Sequence, residues 1–467
     1  MRQITELLGE KAIVIGGSMA GILAARILSD FYRAVVVVER DSLPTLAKAR
    51  QGVPQGLHAH ALLARGQEIL ETLFPGLTQQ LVDQGALQGW GRFYVGGGFL
   101  CQMENGPKAL FVSRPCLETE VRTRLLTLPN IHILENHNVL GLVASEDYER
   151  VTGVRLADRT TSNENILSAD LVVDASGRGS HTPTWLESMG YDKPTVELVE
   201  VKMGYATRFY RRQPEHLEGD FMANIAPTLS NKRGCGMMAQ EGERWIVTLA
   251  GYFGDYPPTD EAGYLEFAKN LPVSDIYEVI RTATPLSDPV PFKFPANQWR
   301  HYEKLGHFPE NFLVIGDSIC SFTPIYGQGM TVAAMEAIAL QACLEAGTEQ
   351  LAPRFFKKAG KIVNMAWSVA AGSDLGLSDV RGSLPAPVRF INWYMGKLQM
   401  VARHDPGVAM AFMKVAQLMA SPSSIMHPRI VWCILIGNLR RKKQAEEIKK
   451  KETPGGTTAQ VLKGKQS

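Results

Sequence analysis

Short apolar runs in this chain end at glycine-rich turns, and stretches with helical periodicity follow those turns. Residues 11–15 form one such run, followed by the turn 16–21 and the helical stretch 22–28. A β-branched run over residues 34–38 comes next. Continuous apolar runs of this length are typical of buried strands, and the helix between them supplies a crossover connection. The pattern therefore predicts a βαβ unit and an α/β fold.

The first turn has the residues of a dinucleotide-binding fingerprint. Its sequence is Gly-Gly-Ser-Met-Ala-Gly, and Glu39 closes the second strand 18 residues after Gly21. Glycines allow a tight turn, the helix N-terminus binds pyrophosphate, and the acid binds a ribose hydroxyl. Ser18 stands where the motif has its middle glycine, and its small side chain still permits close approach. We therefore expect a nucleotide cofactor at this turn.

A second glycine turn lies between the apolar run 312–315 and the helical stretch 331–344. An aspartate at a strand end can hydrogen-bond a sugar-like hydroxyl, and Gly-x-Gly at a helix start exposes backbone N–H groups to a planar ligand. This combination suits the ribityl chain and pyrimidine edge of a flavin, and the alternative is a plain turn before a core helix. The residues concerned are Asp317, Pro324, Gly327, Gly329 and Met330.

Two further elements lie between these turns. Residues 169–180 repeat the order of strand, acid and glycine turn, with Asp174 and Gly177 in the turn. Residues 113–122 form a strand-to-helix junction that carries Arg114. Each element alone is compatible with a purely structural role. Their order along the chain is therefore the evidence for a cofactor site.

The set of elements over residues 11–345 resembles the FAD-dependent aromatic hydroxylase and epoxidase superfamily. Segments 51–63 and 205–208 are most similar to the polyether (lasalocid-type) flavin epoxidases, which are relatives of squalene epoxidase. The resemblance implies a Rossmann-like FAD-binding domain, a substrate domain with an antiparallel β-sheet, and a helical C-terminal region.

The resemblance also implies a monooxygenase. Reduced FAD would react with O2 to give a C4a-hydroperoxide, and one oxygen atom would pass to a lipophilic substrate, as in alkene epoxidation in secondary metabolism. NADPH or NADH would supply electrons, directly or through a partner reductase. The implied cofactor-binding residues are Gly16, Ser18, Met19, Ala20, Gly21, Glu39, Arg40, Arg50, Arg114, Val139, Asp174, Gly177, Asp317, Pro324, Gly327, Gly329 and Met330.

The strand and glycine-turn elements described above divide the chain into five parts. We expect the first part of the FAD-binding domain over residues 1–184, the substrate domain over 185–300, and the second FAD-binding part over 301–345. Residues 346–440 read as helices, and the polar tail 441–467 is expected to be disordered. Within the substrate domain, an alternating stretch at 199–210 predicts a strand, and segments 236–240 and 245–250 predict a hairpin.

Few side chains are candidates for catalysis. Tyr326 faces either the substrate or the helix residues beside it, and Gln55 is a candidate for a polar contact near the isoalloxazine. His58 and His60 could place two imidazoles on one face, as metal sites do, but no third ligand is apparent. We therefore favour a structural histidine pair. Spacing identifies no general base, which favours an alkene or another unactivated lipophilic substrate.

Other functions share the same framework. An aromatic hydroxylase, an FAD-dependent reductase of isoprenoid double bonds and a non-catalytic flavin-binding protein all stay open. A flavin halogenase would carry a Trp-x-Trp-x-Ile-Pro segment, which this chain lacks.

Composition narrows the cellular context. A net charge of +2 requires no nucleic-acid partner. The six cysteines include no Cys-x-x-Cys pair, which argues against a zinc site or a disulfide framework and suits a reducing cytoplasm. No signal peptide is apparent, and no apolar run reaches the roughly 18–20 residues that span a bilayer. We expect a cytoplasmic protein.

The C-terminal part leaves one question about membranes. Residues 430–436 are apolar, and a cluster of four basic residues follows at 440–443. Such a segment can lie on an anionic bilayer surface, or it can be a C-terminal helix packed on the FAD-binding domain with a solvated basic end. Both interpretations stay open.

Overall fold

The structure is a computed structural model, and it describes residues 7–50, 52–101, 108–228, 231–377 and 386–438. The predicted disordered tail, 441–467, lies outside the described residues. The strands are β1 (Gly9–Ile15), β2 (Tyr32–Val38), β3 (Leu87–Gly89), β4 (Arg92–Val95), β5 (Gly98–Phe99), β6 (Ala109–Phe111), β7 (Ile131–Leu134), β8 (His137–Ala144), β9 (Val151–Asp158), β10 (Glu164–Ser168), β11 (Leu171–Asp174), β12 (Val196–Arg211), β13 (Met222–Ile225), β14 (Arg233–Gln240), β15 (Arg244–Gly251), β16 (Val290–Arg300), β17 (Phe312–Val314) and β18 (Cys320–Ser321). The helices are α1 (Met19–Leu28), α2 (Ala64–Leu73), α3 (Leu77–Asp83), α4 (Arg114–Leu125), α5 (Thr182–Ser188), α6 (Glu261–Lys269), α7 (Asp275–Ile280), α8 (Gly329–Leu344), α9 (Leu351–Leu377), α10 (Ala386–Ala402) and α11 (Pro406–Ala416). Residues 428–438 form a further helical segment.

One sheet of the fold has five parallel strands in the order β17-β11-β1-β2-β7. Helices α1 and α8 share one hydrophobic core with it, which explains the mostly buried valine and isoleucine runs of the strands. Because the strands are parallel, their carboxyl ends lie at one edge of the sheet. The predicted α/β fold with a Rossmann-like sheet is confirmed.

Two glycines determine how closely α1 approaches the end of β1. Gly16 has a φ of +101°, a conformation that strongly favours glycine. A Cβ atom on Gly21 would lie 1.8 Å from the carbonyl oxygen of Gly16, far inside van der Waals contact. The spacing of these two glycines therefore reflects a steric requirement of the turn.

A second, eight-stranded sheet has the order β18-β16-β12-β15-β14-β13-β4-β5. The predicted hairpin is confirmed, since β14 and β15 pair antiparallel with Gln240 opposite Arg244. The sheet is antiparallel except where β13 meets β4 in parallel. It draws β4 and β5 from before residue 185 and β18 from after residue 300. The sheet thus extends past the predicted bounds of the substrate domain on both sides.

The C-terminal part is helical, as predicted. Helices α10 and α11 and segment 428–438 enclose a small apolar core of their own. The long helix α9 packs beside α8 and reaches strand β12 of the second sheet. Among the described residues, no helix is both long and apolar enough to cross a bilayer.

Candidate functional site

The turn after β1 is tied to the acid that ends the next strand. The backbone N–H of Gly17 donates to Glu39 Oε2 over 2.8 Å, and the N–H of Asp41 donates to Glu39 Oε1 over 3.0 Å. Glu39 is only 4% exposed, so its carboxylate is held in one orientation beneath the turn. The predicted fingerprint residues Ser18, Met19, Ala20 and Gly21 follow directly at the start of α1. The structure therefore brings the predicted glycine turn and its acid together.

A buried ion cluster supports this turn from below, and we call it the Arg50 cluster: Arg50, Glu39, Asp41, Glu118 and Arg114. Arg50 Nη1 lies 3.0 Å from Glu39 Oε2 and 3.2 Å from Asp41 Oδ2. Arg50 Nη2 lies 3.0 Å from Glu118 Oε1, and Arg114 Nη2 lies 2.9 Å from Glu118 Oε2. Burial opposes ionisation of Glu118, but Arg114 and Arg50 outweigh it and lower its pKa.

Arg50 was expected to face a pyrophosphate, and the structure gives it a different set of partners. Its guanidinium is bound by three buried carboxylates, and Nε also donates to Glu118. Arg114 reaches the turn itself, because its Nη2 donates to Ser18 Oγ over 2.9 Å. Arg114 is thus the basic side chain that the structure places at the turn, and phosphate contact by Arg50 stays a prediction.

Asp317 lies where β17 meets α8, at the same sheet edge as Gly16 and Glu39. Among the described residues, none donates a hydrogen bond to its half-buried carboxylate. Burial raises the pKa of Asp317, and the nearby guanidinium groups of Arg114 and Arg178 act in the opposite direction. A carboxylate held open in this way is suited to accept hydrogen bonds from the hydroxyls of a ligand.

The end of the same loop is shaped by Gly327 and Gly329. Gly327 has a φ of +63°, and a Cβ on it would come within 2.8 Å of Ala61 Cβ. Gly329 begins α8, where a Cβ would lie 3.6 Å from Asp317 Oδ1. Pro324 opens the single turn that precedes them, and Met330 is buried in the first turn of α8. Gly329 is therefore placed beside Asp317, and the other three predicted residues lie near Gly329 along the chain.

Asp174 has a structural role at the neighbouring strand end. Its carboxylate is fully buried and accepts hydrogen bonds from the Ser176 N–H and from the Ser180 and Thr182 hydroxyls. The N–H of Gly177 donates to Ser318 Oγ over 2.8 Å, which ties this turn to the Asp317 turn. The hydrogen bonds of the Asp174 carboxylate are therefore directed into its own loop, and cofactor contact by Asp174 stays a prediction.

The two remaining predicted residues lie further out. Arg40 is exposed directly after β2, and its carbonyl oxygen accepts a hydrogen bond from Arg159. Val139 is half buried on β8, in the separate three-stranded sheet β10-β9-β8. Their contact with a cofactor stays a prediction.

A cleft of about 590 Å³, including its open mouth, lies between the second sheet and the loop that begins at Pro324. Much of its lining is apolar, with Met203, Tyr205, Met238, Ala250 and Ile325 contributing side chains. Polar groups enter it from a few residues, namely Gln55, His58, His60, Asn224 and Thr248. A mostly apolar cleft with few polar groups is typical of sites for lipophilic small molecules.

Tyr326 points its hydroxyl toward α9. The hydroxyl donates to Asp374 Oδ1 over 2.8 Å, and Tyr252 donates to the same oxygen over 3.2 Å. Asp374 Oδ2 accepts from Asn297 Nδ2 and from Thr323 Oγ1, each over 2.7 Å. Burial raises the pKa of Asp374, and the four donors act against that increase. Of the two predicted orientations of Tyr326, the structure therefore shows the one that contacts the helix.

His58 and His60 are neutral residues of the cleft wall. His58 Nδ1 lies 2.8 Å from Thr207 Oγ1, and burial lowers the pKa of His58 to about 4. Burial also lowers the pKa of His60 to about 3. Across the described part of the chain, no group of three or more His, Cys, Asp or Glu residues could hold a metal ion. Both rings have a hydrogen-bond partner within the protein, and the structural interpretation of the pair stays a prediction.

Two comparisons with known proteins identify the family. A model of the FAD dependent oxidoreductase family matches residues 12–183. Protein Rv3254 of Mycobacterium tuberculosis (strain ATCC 25618 / H37Rv) is 32% identical over 454 residues, which cover 92% of this chain and 94% of that protein. The chain belongs to the FAD-dependent oxidoreductase family.

Solved structures share the fold of this FAD-dependent oxidoreductase. The flavin-dependent brominase Bmp2 matches with a TM-score of 0.65 at 11% identity, over 94% of this chain and all of its own (100%). A flavoprotein/dehydrogenase from Cytophaga hutchinsonii matches with a TM-score of 0.64 at 16% identity, over 93% and 100%. The p-nitrophenol 4-monooxygenase PnpA from Pseudomonas putida DLL-E4 matches with a TM-score of 0.61 at 17% identity, over 88% and 99%.

The side chains at the sheet edge fit FAD. Asp317 offers an unpaired carboxylate, and Glu39 offers a carboxylate that Gly17 and Arg50 already orient. Gln328 lies between the two glycines of the loop, is 1% exposed, and has no described partner for either polar atom of its amide. Unpaired buried polar groups are costly, so the Gln328 amide would gain from a partner at this loop.

Sequence reasoning missed two residues of the site. Gln328 is the variable position of the Gly-x-Gly pair, so the motif gave it no weight. Asp374 lies in a helical stretch 48 residues after Tyr326, and its one signal is that it is an acid among small and apolar neighbours.

Proposed function

We propose that this FAD-dependent oxidoreductase is a monooxygenase that inserts one oxygen atom from O2 into a lipophilic substrate. The observation that carries the proposal is the largely apolar cleft that meets the loop between Pro324 and Gly327. An apolar, partly enclosed cleft beside a flavin would bind a hydrophobic molecule and exclude water from the reacting atoms. The names of PnpA and of the probable FAD-dependent monooxygenase pqsL from Pseudomonas aeruginosa, another protein with this fold, agree with the proposal.

We assign the cofactor to the sheet edge. The turn 16–21 with Arg114 would hold the pyrophosphate, Glu39 a ribose hydroxyl, and Asp317 the ribityl hydroxyls. The backbone at Gly327 and Gly329 would lie against the isoalloxazine. Bound FAD supplies the two-electron chemistry that activates O2.

The reaction we favour is alkene epoxidation in secondary metabolism, in keeping with the resemblance to the polyether epoxidases. Hydroxylation of a phenol is assisted by a base that removes the phenolic proton. The titratable side chains of the described cleft lining are Tyr205, His58 and His60. Burial raises the pKa of Tyr205, so its phenol keeps its proton, and burial lowers the pKa of His58 to about 4 and that of His60 to about 3. Both imidazoles are therefore weak bases, so this cleft favours a substrate that needs no deprotonation.

The proposal is tested by the absorption spectrum of the purified protein. We expect visible flavin bands that bleach on anaerobic addition of NADPH or NADH and return with O2, and a product heavier by one oxygen atom when a terpenoid alkene is present. Flavin that neither nicotinamide reduces would indicate a partner reductase or a reductase acting on double bonds. Failure to bind added FAD would overturn the proposal.

Loss of Asp317 should deplete the cofactor. In Asp317→Ala the ribityl hydroxyls lose a charged acceptor, so the affinity for FAD should fall about tenfold or more. The measurement is FAD affinity by fluorescence quenching, with Asp192→Ala as a control because Asp192 is an exposed acid outside the site. Equal FAD affinity in both variants would show that Asp317 does not bind the cofactor.

We also propose that the C-terminal helices contact an anionic bilayer surface. Helix α10 and segment 428–438 expose large apolar side chains that are half or more accessible, namely Phe390, Ile391, Trp393, Trp432 and Leu435. Arg389 and Arg429 are exposed on the same elements. Aromatic groups beside basic ones are suited to the headgroup region of a bilayer.

Replacing two of these aromatic residues should weaken vesicle binding. The double variant Trp393→Ser/Trp432→Ser should bind vesicles of phosphatidylglycerol and phosphatidylcholine at least about tenfold more weakly in a sedimentation assay. The control is Ile166→Ser, because Ile166 is 66% exposed on β10, far from these helices in the chain. Unchanged vesicle binding by the double variant, or no binding by the unaltered protein, would contradict the proposal.

A further inference from the structure

His60 lines the cleft, and the structure gives a partner to one of its two ring nitrogens. Its Nδ1 lies 2.9 Å from the backbone carbonyl oxygen of His58. A carbonyl oxygen can only accept, so Nδ1 carries the proton and donates. Nε2 of the neutral ring is therefore an acceptor with a free lone pair. His60 lines the cleft, and among the described residues nothing else hydrogen-bonds its ring.

The carbonyl that sets this tautomer is itself held firmly. The His58 ring is hydrogen-bonded to Thr207 and packs edge-on against Tyr205, with ring centroids 4.7 Å apart. The next N–H, of Ala59, donates to Thr248 Oγ1 over 3.1 Å. Both threonines belong to the second sheet and hydrogen-bond each other over 2.7 Å. The His60 ring is thus linked to the second sheet through the backbone of His58 and Ala59.

The acceptor does not become a donor under ordinary conditions. Burial is the main reason that the pKa of His60 is low, and the nearby positive charge of Arg114 lowers it further. The ring therefore stays neutral near pH 7, and Nε2 stays available as an acceptor. A neutral acceptor in an apolar cleft favours a ligand that brings a hydroxyl or N–H donor.

We propose that His60 Nε2 accepts a hydrogen bond from a hydroxyl group of the substrate, so that the substrate is a lipophilic alcohol and not a plain hydrocarbon. This inference rests on the proposed function, because it assigns the cleft to the substrate. His60 acts here as a specificity-determining residue: it orients the alkene through the hydroxyl, and the hydroxyl keeps its proton.

The experiment compares an alcohol with its methyl ether. Farnesol and farnesyl methyl ether have the same chain, but only farnesol can donate a hydrogen bond. Dissociation constants are measured on the FAD-loaded protein from the change in flavin absorption on ligand addition. We expect farnesol to bind at least about tenfold more tightly, because the ether leaves Nε2 unpaired.

Two variants separate this contact from a loss of structure. In His60→Phe the preference for the alcohol should fall to about one, since the acceptor is gone. In His60→Gln the amide oxygen should restore part of the preference. His307→Phe, at an exposed histidine, should leave the preference unchanged. FAD content is measured in every variant, so a folding defect would appear there first.

The outcomes distinguish this inference from the proposed function. Equal affinity for alcohol and ether in the unaltered protein, no binding of farnesol, or a preference that survives His60→Phe would each overturn the inference. In those cases reduction by NADPH and reoxidation by O2 would still support a monooxygenase. A change in FAD affinity in His60→Phe without a change in the alcohol preference would reassign Nε2 to the cofactor.

Discussion

Replacing Arg50 with methionine should cost this protein about 3–5 kcal/mol of stability, because a buried carboxylate cluster loses its central cation. Glu39, Asp41 and Glu118 each lie within 3.2 Å of the Arg50 guanidinium, and every side chain involved is at most 10% exposed. Methionine preserves much of the volume but offers no hydrogen bond. The Arg114 guanidinium would then remain as the only cation of the Arg50 cluster.

The free energy of unfolding is measured by urea titration, together with the FAD content of the purified protein. We expect both to fall, since the same carboxylates support the turn at Gly17. The matched control is Arg33→Met. Arg33 pairs with Glu10 over 2.6 Å, but both side chains are about 70% exposed (68% and 73%), so its loss should cost less than about 1 kcal/mol. Similar small losses in both variants would show that the Arg50 cluster contributes little net stability.

The stability of this protein should fall as pH rises from about 5 to about 8, and Glu336 should be one cause. Glu336 lies fully buried on α8, and its Oε2 accepts a hydrogen bond from the Gly316 N–H over 2.6 Å. Burial raises its pKa from 4.5 to about 8; the Gly316 bond opposes the shift, and the Asp317 charge adds to it. Between these two values the folded chain keeps a proton that the unfolded chain releases.

The sign of the effect follows from that difference in proton binding. Below about pH 4.5 both states are protonated at Glu336, so the residue contributes no pH dependence. As pH rises through the window, releasing the proton favours the unfolded state, and the penalty reaches roughly 3–5 kcal/mol above about pH 8. Glu336→Gln is neutral at every pH and should therefore lose this part of the dependence.

Urea unfolding of the FAD-free protein at about pH 5 and about pH 8 measures the difference. Glu336→Gln should be more stable than the unaltered protein at the higher pH and similar at the lower one. Other titrating groups affect both proteins equally, so the comparison isolates Glu336. Glu345→Gln is the control, because Glu345 is exposed at the other end of the same helix. A parallel pH dependence in all three proteins would show that Glu336 is ionised throughout.

The sequence predicted the parts of the site that follow from local patterns. Gly16, Glu39 and Asp317 each follow a short apolar strand, and the carboxyl ends of parallel strands meet at one sheet edge. Strand recognition alone was therefore enough to expect them together. The ion pairs of Arg50 did not follow from a local pattern, since its carboxylate partners include Glu118 on a helix that begins 64 residues later.

Roles that depend on long-range packing could not be predicted from the sequence. The tautomer of His60 depends on the direction of one backbone carbonyl, which no side-chain pattern encodes. The second sheet recruits β4 and β5 through a parallel pairing with β13, a contact across more than 100 residues of chain. The role of Asp374 as a shared acceptor depends on the packing of α9 against β16 and the Pro324 loop, which the sequence pattern does not show.

The contacts of Asp374 have a consequence for recombining this protein with its relatives. Its carboxylate is the common acceptor for Tyr252, Asn297, Thr323 and Tyr326. Tyr252 directly follows β15, Asn297 lies on β16, and Thr323 and Tyr326 lie in the loop before α8. A chimaera whose α9 comes from a relative with an apolar residue at this position would leave these donors buried without a hydrogen-bond acceptor. Crossover points for such exchanges therefore belong after residue 377 or before β15, so that Tyr252, β16, the loop and α9 are inherited together.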